Sequence, residues 1–79
     1  MSFKNNIQPE KLNKNIEDQI LEFVQNRHDK NESTGPRQVH IRFDIEIIDA
    51  EEILETLAQK NKISKFYDME YQEERYIPN

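Results

Sequence analysis

The 79 residues include no cysteine, no tryptophan and one glycine. Without cysteine there is no disulfide scaffold, thiolate zinc site or cysteine nucleophile. One glycine is too few for a P-loop or a dinucleotide fingerprint, which need glycines where backbone meets phosphate. No apolar run approaches the roughly 20 residues that span a bilayer. The opening MSFKNNIQPEKLNKN lacks the apolar middle of a secretory signal. The expectation is a cytoplasmic protein with no membrane partner. Hydrophobic residues are only 34% and charged residues another 34%. A chain of this length makes one domain with a small core. Its stability should be on the order of 5 kcal/mol or less, and self-association as a homodimer is a natural supplement. Acids outnumber bases 16 to 11, for a net charge of -5.

Residues 1–8 read as a flexible N-terminus and 9–79 as a single domain. Pro9 suits a first helical turn. Leu12, Ile16, Ile20, Phe23, Val24 and Arg27 recur at three- and four-residue steps, which predicts a helix over 9–28, with Asn15 as an alternative later start. A polar loop follows at 29–33. Thr34-Gly35-Pro36 reads as a second helix start, a hydroxyl cap before a first-turn proline. The next residues read two ways. Val39, Ile41, Phe43, Ile45 and Ile47 alternate with polar residues, as in a strand over 37–48. They also fit a short helix over 35–43, burying Val39 and Phe43, with an extended connector over 44–48.

Asp49 as N-cap and Glu52 three residues on make an acidic capping box, and Ile48 can staple onto Ile53. Ile53, Leu54, Leu57 and Ala58 supply an inner face, and Asn61 suits a left-handed helix end. This predicts a helix over 49–61. Residues 62–77 read as a β-hairpin, rich in aromatic and β-forming residues. Its turn near Gln72-Glu73-Glu74 lacks glycine, so a loop longer than two residues is expected.

Over residues 16–77 the chain resembles the winged helix-turn-helix superfamily, on the stretch TGPRQVHIRFDIEIIDAEEILETLAQKNKISKF. Thr34 sits where the second helix of that family begins, and Val39 and Phe43 match its buried pair. Ile45 matches the apolar turn residue. Ala50, Ile53, Leu54 and Leu57 match the inner face of the third helix, and Ile63 opens the wing. The resemblance implies a mainly α fold with a small β-hairpin, a three-helix winged-helix-like domain. The alternative is an α+β fold with a strand over 37–48.

Members of that superfamily place the third helix in the DNA major groove, with basic or amide side chains outward. This sequence departs from that pattern. Residues 44–55 hold Asp44, Glu46, Asp49, Glu51, Glu52 and Glu55 and no Lys or Arg. The wing adds Asp68, Glu70, Glu73 and Glu74. DNA affinity comes largely from neutralising phosphates, so these acids oppose it. Positive charge lies at Lys4, Lys11 and Lys14, at Arg27, Lys30, Arg37 and Arg42, and at Lys60, Lys62 and Lys65.

His28 and His40 are the only imidazoles and lack metal-ligand spacing. Catalysis by Ser33 or Ser64 would need a base and an oxyanion pocket, which a domain this small rarely encloses, and Glu51/Glu52 and Glu73/Glu74 read as surface neighbours. No enzyme activity, cofactor or metal is expected. Phe66, Tyr67, Tyr71 and Tyr76 crowd the hairpin, too many for one buried face. The first expectation is therefore a regulatory module that contacts protein, or mimics nucleic-acid charge, through Glu51, Glu52, Glu55, Tyr67 and Tyr71. The alternative is a DNA-binding regulator using Arg37, Arg42, Lys60, Lys62 and Lys65.

Overall fold

A computed structural model describes residues 15–79. The first helix, α1, spans Ile16–Asp29. Asn15 is extended at φ -76° and ψ 172°, and its side chain accepts the Asp18 N–H at 2.9 Å. That N-cap makes Asn15 the start, and it rules out a helix running unbroken from residue 9. Pro9, Leu12 and the expected flexible segment 1–8 lie outside the described residues. Glu17 and Asp18 in the first turn and Arg27 and His28 in the last complement the helix dipole.

Thr34 departs from its expected role as a cap. It is fully buried and forms an antiparallel bridge with Tyr76. Its Oγ1 accepts from Arg27 Nε at 3.1 Å instead of capping a helix. Gly35 takes the N-cap position, and the Gln38 side chain returns to accept the Gly35 N–H at 2.9 Å. Helix α2, Pro36–Phe43, carries its proline at the position that needs no hydrogen bond.

The strand over 37–48 does not form. Pro36 opens an eight-residue helix and Asp44, left-handed at φ 57°, closes it. Val39 is buried and Phe43 half-buried, four residues apart on one face, while Ile41 is 70% exposed. The period-two pattern is a helix and a turn placed end to end. Within the turn, His40 Nδ1 meets the Ile45 carbonyl oxygen at 2.6 Å.

Helix α3 spans Ile47–Gln59, with extended Glu46 as its N-cap. It starts two residues before the expected cap, so Asp49 lies inside the first turn, where it complements the dipole. Ile48 lies inside the helix and is 63% exposed, so it does not hold the position before the cap that the expected staple requires. Asn61 is left-handed at φ 61°, as expected of the residue that ends this helix.

Strands β1, Ile63–Asp68, and β2, Glu73–Pro78, pair antiparallel from Ile63↔Pro78 to Asp68↔Glu73. The turn occupies 69–72, so Glu73 and Glu74 belong to β2. Asp68 takes the place of the missing glycine: its Oδ1 accepts the Glu70 N–H at 2.9 Å. Gln72 takes the left-handed conformation at φ 56°.

Ile20, Val24, Val39, Ala50, Leu54, Leu57, Ile63 and Tyr76 form the core. Phe23 and Phe43 meet edge to face at 5.6 Å beside it. Among the described residues, three helices followed by a two-stranded hairpin make a mainly helical fold, and the order is compatible with winged-helix topology. Among the described residues, no helix is long and apolar enough to cross a membrane.

Candidate functional site

Helix α3 buries Ala50, Leu54 and Leu57 against the core, which turns the opposite side outward. Ile48, Glu51, Glu52, Glu55, Thr56 and Gln59 line one open groove along that outer side. Glu51, Glu52 and Glu55 are the three acids of this side expected from the sequence as contacts. Glu51 and Glu52 are exposed and enter no ion pair among the described residues. Glu51 and Glu55 also line an adjoining cleft with Pro36, Lys65, Glu74 and Tyr76.

Glu55 differs from its neighbours because it is engaged. Lys65 Nζ donates to its Oε2 at 2.5 Å and the Tyr76 hydroxyl donates to the same oxygen at 2.7 Å. The Lys65 bond, then the Tyr76 bond, hold this carboxyl below the usual carboxylate range. Lys65 is pushed above its ordinary value by the same contact. Burial, followed by the bond to Glu55, pushes the Tyr76 phenol well above its ordinary value. The two shifts together favour a protonated tyrosine facing an ionised glutamate.

Below the ordinary phenol range both folded and unfolded chains keep the Tyr76 proton, so its contribution to stability is complete. Above about pH 10 the unfolded chain ionises first and stability is lost as pH rises. Alkaline unfolding of the wild type should therefore steepen above about pH 10, and Tyr76→Phe should flatten that limb. Denaturant midpoints measured across that range check it; parallel curves for the two proteins would contradict it.

Of the described basic residues, Arg27, Lys30 and Arg42 line one cleft, while the others are ion-paired or exposed elsewhere. Lys60 pairs with Glu17 at 2.8 Å and Lys65 with Glu55. Arg42 lies over the Phe43 ring at 5.3 Å, in a cleft with Lys30 between α1 and α2. Arg37 is exposed on α2. Arg42 lies five positions further along, about 140° around the helix. Lys62 is exposed at the base of β1.

The two tyrosines do not join the acids in one groove. Tyr67 is 52% exposed on β1 and lines neither the groove nor the adjoining cleft. Tyr71 lines a separate cleft with His28, Ser33, Phe66 and Asp68. Its ring is stacked on the Arg75 guanidinium at 3.9 Å.

Arg75 was not singled out by the sequence. It is 2% exposed, and it donates to the Ser33 carbonyl oxygen at 2.9 Å and to Glu73 at 2.9 Å. Arg27 donates to the same Ser33 oxygen at 2.8 Å. Together the two guanidiniums tie the loop after α1 to β2. The available signal was one arginine among the acids and aromatics of the hairpin.

No family model, curated protein or solved structure matches the chain.

Proposed function

We propose that this chain is a non-enzymatic, cytoplasmic interaction module of winged-helix type that binds a basic protein surface through the outer side of α3. The observation that carries the reading is the groove itself: Glu51 and Glu52 stand exposed along it, with Ile48 as an apolar anchor. Nearby Lys60 and Lys65 are already matched to Glu17 and Glu55. A helix face of this sign repels phosphate. It suits a lysine- or arginine-bearing surface, including one that otherwise holds nucleic acid. No cofactor or metal enters this role.

The test uses a short Lys/Arg-rich peptide titrated into the labelled chain and followed by backbone NMR. Amide shifts should concentrate at 48–59 and fade with added salt. Glu51→Lys with Glu52→Lys should abolish them. Asp18→Lys with Asp29→Lys, an equal charge change elsewhere, should leave most of the binding. Unchanged binding by the α3 variant removes the reading. So does a wild-type shift of generic duplex DNA at about 50 mM salt, which would favour Arg37, Arg42 and Lys62 as phosphate contacts.

A further inference from the structure

Among the described residues, strand β1 has an unused edge. Tyr76 receives the Thr34 N–H on its carbonyl at 3.0 Å and donates its own N–H to Thr34 at 2.8 Å. Its main chain therefore faces away from β1, and Lys65 opposite it forms a pair without mutual hydrogen bonds. Lys65 must then present its own N–H and C=O away from β2. By the two-residue period, Ile63 and Tyr67 do the same. Among the described residues, no other backbone segment bonds to that edge. Ser64, Lys65, Phe66 and Tyr67 are all exposed.

Exposed edges are usually blunted by proline, a bulge or a free lysine. β1 has no proline, and Lys65 is held against Glu55. The edge thus carries unpaired backbone groups beside two exposed aromatics, Phe66 and Tyr67.

We propose that β1 pairs antiparallel with β1 of a second copy of this chain, Phe66 against Phe66, to make a four-stranded sheet. The register follows from the edge. Hydrogen-bonded pairs must join residues whose main chains face outward, which leaves few choices. Centring on Lys65 sets two lysines directly opposite, which is unfavourable. Centring on Tyr67 puts Phe66 against Asp68 and runs past the end of the strand. Centring on Phe66 gives Lys65 opposite Tyr67 and Ser64 opposite Asp68. Phe66 then falls at the closely spaced pair that favours aromatic contact. Continued past the strand, that register directs Lys62 toward Glu70 of the second copy. The β1 edge shares no lining residue with the α3 groove, which it meets only at the Lys65–Glu55 bond, and pairing there does not depend on the groove.

Sedimentation of the full chain should show a concentration-dependent dimer. The mutual repulsion of two chains of net charge -5 outweighs the two exposed Lys62–Glu70 pairs, so salt should strengthen the dimer. Salt weakens the α3 interaction, so the two readings separate in one titration. Tyr67→Pro removes an outward N–H while sparing the β2 ladder, and should weaken dimerisation at least about tenfold. Phe66→Cys places a thiol at the two-fold axis, where the strand spacing of about 4.5 Å between Cα atoms suits a disulfide. Mild oxidation should give a covalent dimer from Phe66→Cys far faster than from Ser64→Cys. Far-ultraviolet circular dichroism checks that each variant keeps its helices. A chain that stays monomeric at high concentration overturns the proposal. So does a dimer that is indifferent to Tyr67→Pro, or one that cross-links equally through residue 64.

Discussion

Arg75→Ala should cost about 3 kcal/mol of folding stability, and Arg75→Met only about 1 kcal/mol. The side chain is buried between two walls. The Tyr71 ring covers its guanidinium at 3.9 Å, and a Cβ placed on Gly35 would come within 3.1 Å of its Cδ. Alanine removes the whole stem and leaves a cavity where the loop after α1 meets β2. The polar losses are smaller. Ser33 keeps its bond from Arg27, and Glu73 is exposed enough for water to replace its partner. Among the described residues Arg75 Nε has no hydrogen-bond partner, so the arginine already carries a desolvation cost that methionine would relieve. Packing of the stem therefore outweighs the hydrogen bonds of the head, and methionine restores most of it. Urea denaturation of the three proteins checks the order. An alanine variant within about 0.5 kcal/mol of wild type would show the site to be loosely packed.

The sequence was most informative where one local signal met no competitor. Asn61 and the apolar residues of α3 were legible because each follows directly from backbone preference or three-to-four spacing, whereas Asn15 competed with Pro9 as a start and was only the alternative. The hairpin was legible from composition. Thr34 misled because a hydroxyl before Gly-Pro looks like a cap; only the distant Tyr76 makes it a strand residue. Asp49 misled in a similar way. Its spacing to Glu52 imitates a capping box, but left-handed Asp44 ends α2 early enough for α3 to begin at Ile47. The acids of the candidate surface were visible as a charge run, and their outward positions followed from the helix period. What could not be read was which of them is spoken for. Glu55 is singled out by Lys65 and Tyr76, ten and twenty-one residues away, and a pairing that remote leaves no periodic trace. Arg75 was hidden for the same reason, since its neighbours Ser33 and Gly35 are joined to it only by the fold.

Leu54→Ala and Ile48→Ala should separate the two sides of α3. Leu54 is fully buried at the centre of the core, and its truncation should cost about 3 kcal/mol. Against a total on the order of 5 kcal/mol, that loss should lower the urea midpoint by more than half. Ile48 is 63% exposed, and its truncation should stay within about 0.5 kcal/mol of wild type. The binding effects should run the other way. Ile48 is the apolar member of the groove that holds Glu51 and Glu52, so its loss should weaken capture of the basic peptide without unfolding the helix. Leu54→Ala should bind in proportion to the fraction still folded, because its side chain faces the core. Were both variants to lose stability alike, α3 would be buried on two sides and the outward groove would not exist. Were Ile48→Ala to bind as well as wild type, the attraction would be charge alone, and the peptide would be held by Glu51 and Glu52 without an apolar anchor.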